Sequence, residues 1–117
     1  MVKTYDEYEF GLTWVLDETA GRASHALVVD GGVWLVDPVA VDEALDRALA
    51  LGEPHGVLQL LDRHNRDCAA LAGRLGVPHL RLPETVPDSP FEPFRVVWRP
   101  GWREVGLWWP EIGRAHV

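Results

Sequence analysis

Apolar residues in this chain fall into short blocks whose spacing alternates between strand and helix periods. Tyr8 to Leu16 alternates loosely and predicts a first strand. Ala26-Leu-Val-Val29 and Val33-Trp-Leu-Val36 are apolar and β-branched, and Asp30-Gly31-Gly32 separates them. Asp-Gly tolerates the positive φ angles of a tight turn, so residues 26–36 are expected to form an antiparallel hairpin. After Asp37-Pro38, Val41, Ala44, Leu45, Ala48 and Leu49 recur at helical spacing, with Asp42, Glu43, Asp46 and Arg47 on the opposite face. This predicts a helix over about 40–51, stopped by Gly52.

Val57 to Leu61 is a short apolar run and reads as a buried strand. The loop Asp62-Arg-His-Asn-Arg-Asp67 leads into a second short helix, Cys68 to Leu75, with Leu71, Ala72 and Leu75 on one face. Asn65 or Asp67 can cap its start, and Gly76 and Pro78 end it. Leu80 to Leu82 predicts a further strand, and Pro83 to Pro93, rich in proline and acid, predicts a surface loop. Arg95 to Trp98 and Glu104 to Trp109 read as two strands around Arg99-Pro-Gly101. The order is hairpin, helix, strand, helix, strand, loop, hairpin: an α/β (α+β) chain with a mixed sheet and flanking helices.

Composition narrows the function. With 117 residues and 47% hydrophobic content, the chain can build one core but not two. The net charge of -7, with no basic patch and no Lys/Arg-rich run, argues against nucleic acid as a partner. Cys68 is the one cysteine, so no internal disulfide forms, which fits a reducing, cytoplasmic setting. The charged N-terminus is unlike a signal peptide, and no apolar run approaches the ~20 residues of a membrane helix.

The ordered set of pieces resembles the metallo-β-lactamase-fold hydrolases, including glyoxalase II-like enzymes. Leu35-Val36-Asp37-Pro38 resembles the family's Leu-Ile-Asp-x-Gly turn. Leu60-Leu61-Asp62-Arg63-His64-Asn65-Arg66-Asp67-Cys68 stands where a Leu-Leu-Thr-His-x-His-x-Asp-His stretch would be. Ala69 to Pro78 resembles the helix that follows, and Pro100-Gly101-Trp102 resembles the Pro-Gly-His turn. The match runs over roughly residues 24–111. It implies the N-terminal half of an αββα sandwich.

The departures matter more than the matches. On this alignment the motif histidines become Arg63, Asn65 and Cys68, and the Pro-Gly-His histidine becomes Trp102; Asp67 alone is kept. A catalytic zinc site needs about three side chains with lone pairs aimed at one point, plus an open position for water. Arg offers no acceptor, and Trp only an N–H. Without the ion nothing here brings a water's pKa down to about 7. No catalytic, cofactor or metal residue is therefore assigned; Arg63, Asn65, Asp67, Cys68, Trp102 and the turn residue Asp37 are read as vestigial motif positions.

Each position also has a plainer reading. Asp67 is a helix cap or a residual ligand, and Cys68 a buried helix residue or a thiolate. His64 falls at a spacer and reads as a surface residue, while His25, His55 and His79 lack any mutual spacing. Arg63 either points to solvent or replaces the lost cation by pairing directly with Asp67, with Asp62 and Asp37 as further acceptors. Trp98, Trp102, Trp108 and Trp109 read as core plus one exposed edge, or as a pocket lining.

The chain's end departs from the family. Glu111-Ile-Gly-Arg-Ala-His-Val117 back-translates to a stretch resembling read-through of a sequencing adapter. Residues 1–111 are thus read as a partial domain and 112–117 as a non-native tail, with the natural protein about twice as long. The expected function is non-catalytic, binding or structural, with a small-molecule or protein partner, without membrane or nucleic acid, and without a cofactor. The alternative is a hydrolase whose altered zinc site is completed by a missing C-terminal half. A third reading is an unrelated α/β module, which a single parallel sheet would favour.

Overall fold

In the computed structural model, which describes residues 2–16, 23–63, 65, 67–110 and 114–116, the Asp-Gly turn forms where the sequence places it. Asp30 and Gly31 take φ values of 48° and 79°. Those angles suit the right-handed twist of the two strands they join, β3 (Ala23–Val29) and β4 (Gly32–Val36). Val29 and Gly32 close the antiparallel ladder.

The N-terminal segment differs from expectation. Instead of one strand over 8–16, β1 (Val2–Tyr8) and β2 (Gly11–Leu16) form a second hairpin. Its turn residues are Glu9 and Phe10, which lack the usual Gly/Asn/Asp signal. Gly11 is required just after that turn, because a Cβ there would collide with the Ala26 carbonyl on the neighbouring strand.

Two crossovers then extend the sheet. α1 (Asp42–Leu49) carries the chain from β4 to β5 (Glu53–Gln59), and α2 (Cys68–Leu75) carries it on to β6 (His79–Arg81). Both connections are helical, so β4, β5 and β6 pair in parallel. Gly76 ends α2 with φ 68°, the left-handed cap expected of it. The last hairpin, β7 (Glu92–Arg99) and β8 (Trp102–Trp109), forms a separate antiparallel sheet to which β9 (Arg114–His116) adds. The chain is thus α+β, with a six-stranded mixed sheet in the order β1-β2-β3-β4-β5-β6 and a three-stranded sheet β7-β8-β9. Of the 112–117 segment, residues 114–116 pair with β8; 112, 113 and 117, with Glu111, lie outside the described residues.

The large sheet is covered on both faces. Val33 and Leu35 of β4 and Val57 of β5 pack with Leu45 of α1 and Leu71 of α2. Their neighbours Trp34, Val36 and Leu58 pack the other way, against Val105, Leu107 and Trp109 of β8. Burial on both faces explains why β4 is an unbroken apolar run rather than an alternating one. Helices, large sheet and small sheet form three layers. The 83–93 segment, expected at the surface, contributes to the second core: Val86 and Phe91 are buried, and the Phe91 ring meets Trp109 edge-on at 5.2 Å and Trp34 at 6.2 Å. Among the described residues no helix is long and apolar enough to cross a membrane.

Candidate functional site

The sequence-predicted positions gather at the ends of β4 and β5. Asp37 follows β4 with φ 46°. Its backbone N–H donates to Leu58 O (2.8 Å), extending the parallel ladder. Its carboxylate Oδ1 accepts the N–H of Leu60 at 2.9 Å. Its carbonyl accepts the hydroxyl of Ser24 at 2.9 Å, and that hydroxyl accepts the N–H of Val39 at 3.1 Å. Ser24 and Asp37 are both buried, so each of these bonds satisfies a group that water cannot reach. Together they fix the turn to β3 and β5.

Gln59 ends β5 with its side chain fully buried. Its amide nitrogen donates to Leu61 O (3.1 Å) and to Asn65 Oδ1 (3.0 Å). Its oxygen lies 3.0 Å from His79 Nε2, so that nitrogen carries the proton. The next three residues join the two sheets. Val105 N–H donates to Leu60 O (2.7 Å), Asp62 N–H to Arg103 O (2.9 Å), and Arg103 N–H to Asp62 Oδ2 (3.1 Å). A bridge between Leu61 and Glu104 lies among them.

Asp67 sits at the N-cap position of α2 but makes no side-chain cap bond to its own helix. Its Oδ2 instead accepts the N–H of Ala40 at 2.7 Å, on the approach to α1. The helix-cap reading is corrected on this point: the carboxylate joins two crossovers. The Arg63–Asp67 pair is corrected too. Arg63 is 63% exposed, its Nε is 4.0 Å from Asp62 Oδ1, and its guanidinium stands 5.6 Å from the Trp102 ring. No described contact joins it to Asp67. The physical reason is that Asp67 already has a donor in Ala40, so no unopposed carboxylate draws the guanidinium inward.

The remaining positions scatter. Asn65 serves Gln59, and Cys68 is fully buried among the α2 and large-sheet residues. Trp102 is 43% exposed, and Trp98 and Trp108 are exposed to a similar degree, so of the four tryptophans only Trp109 belongs to the core. His64 and Arg66 lie outside the described residues. His25 bonds Thr13 across β2 and β3 (2.8 Å), and His55 stacks edge-on against Trp34 (5.9 Å). Neither joins His79.

This donor set does not fit a zinc centre. Arg63 and Trp102 have no lone pair to give, the Cys68 sulfur is buried in the core, and one oxygen of each carboxylate, Asp37 Oδ1 and Asp67 Oδ2, accepts a backbone amide. Among the described residues no three His, Cys, Asp or Glu side chains converge. The sequence pointed to Asp37 and Asp67 but missed Ser24 and Gln59. A lone Gln inside the apolar run Val57–Leu61 was the one available signal, since a buried amide must be satisfied.

A cavity of about 450 Å³ opens near the other ends of β4 and β5, between Trp34, His55, Pro78 and Leu80. It touches none of the motif positions.

No model of a protein family matches this chain, and no curated protein matches it.

Proposed function

We propose that this chain is a non-catalytic domain of the metallo-β-lactamase type, in which the loop that would hold zinc has become a structural tie. Its role is binding or structural rather than hydrolytic. The ordered sequence motifs support the fold half of this reading, as does the layer order of helices, mixed sheet and second sheet. An unrelated single-sheet module would lack that second layer.

One observation carries the functional half. The three carboxylates at the strand ends each accept a backbone amide from a different segment: Asp37 from Leu60, Asp62 from Arg103 and Asp67 from Ala40. A metal ligand needs those lone pairs directed at a shared point, not at separate peptide groups. Here they close the β4–α1 turn, the β5–α2 loop and the β7–β8 hairpin onto one another.

Calorimetric titration of the purified protein with zinc tests this. The expected result is no saturable binding at one equivalent and no change in melting temperature with zinc or chelator. One zinc per chain, lost in the Asp67→Asn variant, would overturn the reading and favour an altered hydrolase.

A further inference from the structure

The cavity near the starts of β4 and β5 plays no part in the strand-end ties. Its volume, about 450 Å³, lies in the range of small-molecule sites. Trp34 forms its floor, and Pro54, Pro78, Pro87 and Leu80 form its walls. These surfaces are already set. The Trp34 ring lies against Gly56, where a Cβ would come within 2.6 Å of ring Cζ3. His55 and Phe91 meet the same ring edge-on at 5.9 Å and 6.2 Å. Proline side chains have almost no rotamer freedom to lose, so a ligand entering here orders little that is not ordered beforehand.

The border of this apolar cavity is acidic. Asp88 lines it, and also lines a second cavity of about 300 Å³ that it shares with Asp30 and Ser89. Both carboxylates sit on turns with positive φ, 48° at Asp30 and 60° at Asp88. Val86 and Phe91, buried on either side of the Asp88 turn, hold it to the second core, and the Ser89 hydroxyl donates to Val86 O at 2.7 Å. Among the described residues no Lys or Arg lines either cavity, and neither carboxylate has a cation within ion-pair distance.

We propose that the two cavities together bind a small amphipathic cation, an amine with an apolar, ring-sized body. The body fills the Trp34 cavity and the ammonium stands at Asp88 and Asp30. An anion of the same shape would find His55 as the one basic side chain on these walls, against two carboxylates on a chain of net charge -7. A neutral apolar molecule would leave both carboxylates unused. The site lies apart from the strand-end loop and stands whether or not the metallo-β-lactamase reading holds.

The test titrates the protein with 4-phenylbutylammonium at low salt and follows backbone amides by NMR. Saturable shifts are expected around His55, Gly76 and Asp88, with a dissociation constant on the order of 1 mM for a ligand of this size. Asp88→Asn should weaken binding about threefold, and Asp30→Asn/Asp88→Asn about tenfold, the modest effect of exposed charges. Asn tolerates positive φ as Asp does, so melting curves like the wild type's are expected for both variants. Butylammonium, which lacks the ring, should bind at least about tenfold more weakly. No saturable shift in the wild-type protein would overturn the proposal. Equal affinity for 4-phenylbutyrate, or an unchanged affinity in the double variant, would show that the carboxylates do not select the ligand and would overturn it too. Equal affinity for butylammonium would do the same by showing that the Trp34 cavity is not used.

Discussion

Replacing Asp37 with alanine isolates the tie at its most buried point. Two costs follow from the structure. The Leu60 N–H, on a residue 1% exposed, loses its acceptor at 2.9 Å. An unsatisfied buried amide costs about 1–3 kcal/mol. Position 37 also keeps φ 46°, which Asp tolerates better than Ala, adding roughly 1 kcal/mol. The sum, about 2–4 kcal/mol, should lower the melting temperature by on the order of 10–20 °C in a domain of this size. Urea unfolding followed by circular dichroism measures it: the midpoint should fall with the m-value unchanged. Asp37→Asn is the control. It keeps an oxygen acceptor and a residue at ease with positive φ, and should lie within about 1 kcal/mol of wild type. The account fails if Asp37→Ala loses less than about 0.5 kcal/mol, below the value of an ordinary buried hydrogen bond. It fails equally if Asn is as costly as Ala, since the charge rather than the acceptor would then matter.

Gln59→Leu should cost about 2–3 kcal/mol in the same assay, because it strands the N–H of His79 and the carbonyl of Leu61 near a fully buried position; an unchanged midpoint would show that these bonds contribute nothing. Tyr5 offers a pH readout. Burial, and then the nearby Glu43 carboxylate, raise its phenol above the ordinary value of 10.0. The folded state therefore holds this proton more tightly than the unfolded one. The stability it contributes is complete below pH 10.0 and is lost as pH rises through the higher folded value. Absorbance titration should show one tyrosine ionising late in the native protein, a delay that Tyr5→Phe removes; a delay that persists in the variant would reassign it.

Much of the architecture was legible because local chemistry and packing agree. Asp30-Gly31 demands positive φ, and the structure supplies it. The apolar spacing of Cys68 to Leu75, with Gly76 behind it, matches the bounds of α2 at both ends. The N-terminal hairpin was illegible for the opposite reason: Glu9 and Phe10 turn without a turn residue, and Phe10 is held by packing against Tyr8 (4.8 Å) and Trp109 (5.5 Å), a contact from distant sequence. Val86 and Phe91 were hidden among prolines, yet these two apolar residues bring the 83–93 segment down onto the second core. At the site, the sequence flagged Asp37 and Asp67 as carboxylates kept after their partners changed. It could not show that each accepts an amide, because Leu60 and Ala40 offer only peptide N–H groups, which every non-proline residue has. The contact of Arg63 with the Trp102 ring was invisible for a related reason: the two come from the β5–α2 loop and the last hairpin, and only the tertiary fold brings them together.

The central claim is that the strand-end carboxylates hold backbone amides rather than a metal. A zinc titration followed by amide-resolved NMR tests it at the three N–H groups concerned, those of Ala40, Leu60 and Arg103. The account predicts that their resonances stay in place through several equivalents of zinc and move separately in the Asp67→Ala, Asp37→Ala and Asp62→Ala variants. A concerted, saturable shift of all three at one equivalent would place a metal among those carboxylates and contradict it.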